Sequence, residues 1–269
     1  MTRLKMFCFS LANENLAKIK KINYTPVGLG KGNFDSEWLR DNTGDNISEK
    51  NSWYGENTFY YWLWKNNLKK NFDAEWTGFC HYRRFWTKDI TEKNYENFKD
   101  SIIQEPAPEW KNHEVVLREE FWINGTKLSK IYKHGKRLLL KNPFLFFSKK
   151  NLTIKVHYDM YHGYGELDKA IEFLDNENRE DFRTFVETQP SFNANNILIC
   201  RSAELYSDYC KSLFQWLEKC EPLFGFDPNR EYNLIRVYAF LSERYLSYWF
   251  KKNSNYIRWP LKFHDITND

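Results

Sequence analysis

Residues 4–30 read LKMFCFSLANENLAKIKKINYTPVGLG, and the order of elements within them decides the fold. LKMFCFSL, residues 4–11, is an apolar run of strand length. ENLAKIKKI after it sets Leu16, Ile19 and Ile22 at helical spacing, and TPVGLG is a second strand-like run closed by glycines. Strand, helix and strand in so short a span predict an α/β fold with a parallel sheet. In such sheets ligands sit beyond the carboxyl ends of the strands, so functional residues are sought there. The glycines of GLGKGNF invite a phosphate-loop reading, which fails on two positions. Asn33 stands where a dinucleotide fingerprint needs its third glycine, and Gly32 where a P-loop needs Ser or Thr after its lysine. A turn accounts for them.

The chain has 269 residues, 42% of them hydrophobic, enough to bury a large core, and no internal repeat or long linker divides it. A single domain over 1–269 is expected. The net charge of +4 points to no polyanionic partner, and no recognition-motif spacing accompanies it, so nucleic acid is not expected. The average hides an asymmetry. Residues 121–158 carry no acidic residue and nine basic ones (Lys127, Lys130, Lys133, Lys136, Arg137, Lys141, Lys149, Lys150 and Lys155), leaving −5 for the remainder. Mixed with Leu and Phe, this is the composition either of a solvated helix face followed by a core strand or of a surface that rests on an anionic membrane. Five cysteines, none at metal-knuckle spacing, read as reduced thiols. MTRLKMFCFSLANEN lacks a cleavage-like site, and no stretch approaches the ~20 apolar residues of a spanning helix. A cytoplasmic protein, peripheral at the inner face of the membrane if the basic segment binds there, is the corresponding expectation.

Polar residues crowd a few junctions. DNTGDNISEKNSWYGENTFYYWLWKNN, residues 41–67, begins with turn formers and continues with Trp53, Tyr60, Leu63 and Trp64 at helical spacing, Ser52 being placed to cap the helix. Asp41, Asp45, Asn46, Asn51 and Glu56 gather there, either as a capped Asx-rich loop or as a nucleotide or sugar pocket. TGFCHYRRFW, residues 77–86, is an apolar strand ending in His81, Tyr82, Arg83 and Arg84. LTIKVHYDMYHGYGELDKAIEFL runs from a strand-like stretch into a helix and clusters His157, His162, Glu166 and Asp168. The two histidines are five apart rather than four, which argues against zinc. PSFNANNILICR puts Asn193, Asn195 and Asn196 before an apolar strand. The last third is helical in pattern and carries Glu243 and Arg244, which on a helix are either site residues or exposed partners of neighbouring turns.

Taken together, DNTGDNISEKNSWYGE, GFCHYRR, the HYDMYH region, FNANNILI and FLSER, in this order and over nearly the whole chain, resemble an uncharacterised-domain family of bacterial capsular and exopolysaccharide glycosyltransferases. Gly55 and Ile197 depart from it, standing where the family has a Cys before the loop glutamate and a Met after the paired asparagines. The resemblance implies a GT-A-like (Rossmann-like), mostly parallel central sheet with helices on both faces and a helical C-terminal region. Residues 1–90 would be a nucleotide-sugar-binding half and 91–269 an acceptor half. It implies a nucleotide-sugar transferase, some relatives transferring galactofuranose, with a lipid-linked or oligosaccharide acceptor of capsule, lipopolysaccharide or exopolysaccharide.

In many GT-A enzymes the corresponding strand ends in Asp-x-Asp, which holds a divalent metal on the donor diphosphate. Here Arg83 or Arg84 takes that place, because a guanidinium pairs bidentately with phosphate and stays charged. No cofactor and no metal are therefore expected, although Asp41 and Asp45 stay open as cation ligands. On the donor side the candidates are Asp41, Asp45, Asn46, Asn51, Tyr54 against the base, Glu56, His81, Arg83 and Arg84. For the catalytic base they are Glu243, Asp168 and His162. Asn193, Asn195, Asn196, His157 and Arg244 are the acceptor-side candidates. A non-catalytic nucleotide- or sugar-binding module and a membrane-surface scaffold are the rival readings.

Overall fold

The computed structural model describes residues 3–66, 68–72, 74–91, 95–125, 135–141, 148 and 151–269. The opening segment folds as its pattern dictates. β1 (Leu4–Ser10) leads through α1 (Leu16–Lys21) to β2 (Thr25–Gly28), which lies parallel to β1. β3 (Leu39–Arg40), β4 (Trp76–His81), β5 (Arg84–Trp86), β6 (Val115–Arg118), β9 (Leu198–Cys200), β10 (Tyr256–Trp259) and β11 (Leu261–Phe263) complete a nine-stranded sheet, while β7 (Phe121–Trp122) and β8 (Ser191–Phe192) form a separate ribbon.

The main path of the sheet is β10-β6-β9-β4-β1-β2-β3. β1 is parallel to β2 and β4, β2 to β3, and β10 to β6, whereas β9 is antiparallel to both of its neighbours. Six of the seven strands on this path thus point one way and β9 is reversed. β5 turns back from β4 through the His81–Arg84 pair and takes β11 on its other side, antiparallel to both.

Side chains alternate along β1, and both faces are apolar, as a central strand covered on two sides requires. Met6 and Cys8 pack with Ile19 of α1, Cys80, Trp110 and Trp259 on one face. Phe7 and Phe9 pack with Phe79 and with Phe59 and Tyr60 on the other. Each fully buried phenylalanine contributes about 1.5–3 kcal/mol through apolar burial. The second face is covered by α3 (Asn57–Asn66) and by the C-terminal helices, among them α6 (Asn176–Thr188), α7 (Ala203–Phe224) and α8 (Val237–Asn253). The expected α/β architecture, with its mostly parallel sheet, two covered faces and helical C-terminal region, is the one observed. The five cysteines are free and buried.

The structure corrects three local readings. The helix expected from Ser52 onward is two helices, α2 (Asn51–Tyr54) and α3, broken at Gly55, whose φ of 58° lies in a region glycine enters at little cost. Ser52 therefore sits inside α2 and caps nothing. Ile154–Tyr161, read as strand-like, is helix α4, capped by the Thr153 hydroxyl, which accepts from Val156 N. Ile154, Val156, Tyr158 and Met160 are buried in alternation because α4 is packed on two sides, which imitates the period of a strand. Arg244, open to a surface reading, is fully buried.

Lys127, Lys130, Lys133, Lys149 and Lys150 of the basic segment lie outside the described residues. Lys136 and Lys141 stand on a short helix, and Lys155 is paired with Asp168. Among the described residues no helix is long and apolar enough to cross a membrane.

Candidate functional site

A cavity of about 390 Å³ opens at the carboxyl ends of β1, β2 and β4. Phe9, Ser10 and Leu29 come to it from β1 and the end of β2, Asn51, Gly55 and Glu56 from the α2–α3 junction, and His81, Tyr82 and Arg83 from the end of β4. Tyr232, Ile235 and Arg236 close it from the segment before α8. Its size is that of a small-molecule site, and its balance of two guanidiniums against one carboxylate favours an anion. A larger cavity, about 550 Å³, sets Lys88 and Lys99 against Asp89, Asp100, Glu105 and Glu109 and has no such preference.

Arg83 is exposed, its guanidinium 4.8 Å from the Tyr82 ring centroid, and among the described residues it has no carboxylate partner. Arg84 lies outside the cavity lining, 5.9 Å from the Phe263 ring, where its charge acts on His81 and Arg118. Asn51 Nδ2 donates to the Gly55 carbonyl at 2.9 Å and to Thr58 Oγ1 at 3.0 Å, which fixes the bend between the helices. Glu56 is buried and accepts from Arg236 Nη2 at 3.3 Å.

The reversed strand joins this cavity to a second polar cluster. Asn195 and Asn196, just before β9, adopt φ of 79° and 46°, a left-handed geometry that asparagine tolerates better than most residues. Asn195 is a hub: its carbonyl faces His81 Nε2 at 3.3 Å, its N–H donates to Glu243 Oε1 at 2.5 Å, and its side-chain oxygen accepts from Arg118. Glu243 Oε2 accepts from Arg244 Nη1 at 2.6 Å. Arg244 Nη2 donates to His157 Nδ1 at 3.0 Å, and the guanidinium lies over the rings of Phe192 and Tyr158. Glu243 is thus held by two donors, with 15% of its side chain still exposed.

Other expected residues are spent inside the protein. The Tyr54 hydroxyl donates to Glu221 at 2.7 Å and its ring stacks on Tyr238, so it is turned away from any base in the cavity. Asp41 is fully buried near Thr58, and burial raises its carboxyl above the ordinary range. Asp45 accepts from the Tyr61 hydroxyl and Asn46 from Ser48, both stabilising the loop and neither lining the cavity. Asn193 donates to the Arg118 carbonyl and accepts from the Ser247 hydroxyl, and Asn196 donates to the Ala239 carbonyl. Asp168, on α5 (Glu166–Ile171), is ion-paired with Lys155 and is not brought to the Glu243 cluster. His162 is buried, its ring stacked on Phe240 with centroids 3.7 Å apart. Sequence reasoning passed over Arg118, Tyr232 and Arg236. Arg236 stands shortly before FLSER in the sequence, but nothing local tells a cavity arginine from a helix-end arginine.

The donor set does not fit a divalent metal. The three residues after β4 (Tyr82, Arg83 and Arg84) include no carboxylate, Glu56 is engaged by Arg236, and Glu243 is engaged by Asn195 and Arg244. Among the described residues no group of three or more His, Cys, Asp or Glu is placed to hold an ion.

Burial lowers the ring pKa of His81, His157 and His162, with Arg244 adding to the effect on the last two, and His157 is brought to about 3. In the unfolded chain these rings titrate near ~6.5. Because the folded values are depressed, the unfolded state binds more protons below pH ~6.5. Stability is therefore full above that pH and declines towards acid, His157 alone costing about 2 kcal/mol by pH 5. Urea denaturation at pH 7.5 and pH 5 should show this loss, and His157→Asn should remove its own share. An equal pH dependence in wild type and variant would show that the ring is protonated in the folded protein.

This α/β architecture, a mostly parallel sheet covered by helices, matches a GT-A-like glycosyltransferase structure in fold. The sequence matches the family described as Domain of unknown function (DUF4422) over residues 12–254, and the chain belongs to that family. Among solved structures it is similar to the apo structure of the bifunctional glycosyltransferase WbbM, with a TM-score of 0.68 and 19% identity over 97% of this chain. The chain spans 45% of the length of that structure. The mannosyltransferase Ktr4p of S. cerevisiae matches with a TM-score of 0.36 and 9% identity, over 97% of this chain and 70% of that one. No curated protein matches.

Proposed function

We propose that the chain is a glycosyltransferase that moves a sugar from a nucleotide-sugar donor to a bacterial surface glycan of capsule, lipopolysaccharide or exopolysaccharide. The donor class is a uridine-diphosphate sugar, UDP-galactofuranose being the first to try. The observation that carries this reading is the cationic cavity at the carboxyl ends of β1, β2 and β4, joined through one residue, Asn195, to a carboxylate on α8.

In this reading residues 1–90 supply most of the donor site and residues 91–269 the acceptor side. The donor diphosphate lies against Arg83, with Arg84 behind it. Breaking the sugar–phosphate bond leaves charge on the diphosphate, and a preorganised guanidinium stabilises that charge as it develops. Glu243 takes the proton of the acceptor hydroxyl as that oxygen attacks the anomeric carbon from the opposite side, which inverts the centre in one displacement. Arg244 and the Asn195 amide aim the carboxylate, and His157, held neutral by burial, accepts from Arg244 without adding a competing charge. The acceptor is lipid-linked or an oligosaccharide, and the basic segment brings the enzyme to the inner face of the cytoplasmic membrane.

The test is a thermal-shift panel of nucleotide sugars, each with manganese and again with EDTA. A ligand that binds the native state raises the midpoint by mass action, so no acceptor is needed. One uridine-diphosphate sugar should raise it equally in both conditions. A shift that disappears in EDTA would return the phosphate contacts to a metal, and no shift for any nucleotide sugar would sink the donor reading.

A further inference from the structure

Arg236 enters the cavity from the segment before α8, not from the sheet. Its Nη2 donates to Glu56 Oε2 at 3.3 Å, its Nη1 donates to the Tyr232 hydroxyl at 3.0 Å, and its Nε is buried without a hydrogen-bond partner among the described residues. The backbone makes room for this guanidinium. A Cβ at Gly55 would stand 2.2 Å from Nη2, so the residue next to Glu56 has no side chain to offer. Glu56 itself is 6% exposed. At 3.3 Å the contact is longer than the ~2.7–2.9 Å usual for a charged pair, and it uses one nitrogen of a fork built to grip two oxygens.

We propose that Arg236 is a second diphosphate-binding cation, and that Glu56, its partner in the structure, yields it to a nucleoside diphosphate. The proposal rests on the nucleotide-sugar reading and specifies how that ligand is held. A diphosphate presents paired oxygens that the Arg236 fork and Arg83 grip from two different elements, which the single Glu56 oxygen cannot match. The exchange leaves Glu56 buried beside new negative charge, so Glu56 works against the ligand that replaces it. Two opposite effects follow from one ion pair. Removing the arginine weakens diphosphate binding, and removing the charge of its partner strengthens it. A pair whose only role is to brace the α2–α3 junction would give losses of the same sign from either side.

Calorimetric titration of the full chain with UDP, inorganic pyrophosphate and uridine separates these cases, pyrophosphate reporting on the phosphate site whatever the base. Arg236→Gln should weaken UDP and pyrophosphate by about ten- to a hundredfold and leave uridine unchanged, Arg236→Lys should fall between, and Glu56→Gln should tighten both diphosphates about tenfold. The proposal is overturned if Arg236→Gln binds both as wild type does, or if Glu56→Gln weakens them as Arg236→Gln does. Wild-type protein that binds neither diphosphate would overturn the donor reading along with it, a pattern distinct from the other two.

Discussion

Glu243→Asp should retain the melting temperature within a few degrees and lose about a hundredfold in kcat for sugar transfer. Shortening the side chain by one methylene keeps the charge that neutralises buried Arg244 but draws the carboxylate back by roughly 1 Å, a displacement that costs a catalytic group about that factor. Donor binding should be unaffected, because Glu243 does not line the cavity proposed to hold the donor. Glu243→Gln should cost more, about 10²–10⁴-fold in rate, since it removes the proton acceptor altogether. It should also cost stability, about 3–5 kcal/mol, because Arg244 is then left as a buried charge without its carboxylate. The aspartate variant separates chemistry from folding. If it transfers sugar at the wild-type rate, Glu243 is an anchor for Arg244 and the base lies elsewhere.

Arg83→Ala carries the second large effect, a loss of about 10²–10³-fold in kcat/KM for the donor, the scale of removing one preorganised donor from a developing anion. The fold should not register the change, as the side chain is exposed and has no carboxylate partner among the described residues. Arg83→Lys should recover part of the rate, having the charge without the fork. Arg84→Ala is the informative control: its guanidinium lies outside the cavity lining, so a loss of tenfold or less is expected there. Steady-state kinetics of the three variants in EDTA decide the matter. A larger loss at Arg84 than at Arg83 would reverse the assignment.

The first thirty residues were legible because each level agreed. An apolar run buried on both faces, a helix with Ile19 inward and a glycine-closed second strand leave one arrangement, and Met6 and Phe7 pack on opposite faces as a central strand demands. α4 was not legible, since packing on two sides gives a helix the alternation of a strand. Within the site, His81, Arg83 and Glu56 stood out because charged groups at the end of a buried strand or beside a glycine need a reason. The three asparagines misled in part. Their number suggested sugar binding, whereas Asn193 and Asn196 satisfy buried backbone and hydroxyl groups, a use that depends on residues 43 to 75 positions away. Arg236 was invisible for the same reason, its meaning depending on Glu56, 180 positions away.

The backward course of β9 changes what the rim of the sheet can offer. A strand inserted in the opposite sense brings an amide hydrogen to the same rim, and the Asn195 N–H is the one that meets Glu243. Inverting one strand thus puts the start of a strand among strand ends, and the backbone donor just before it gives the Glu243 carboxylate a place to dock.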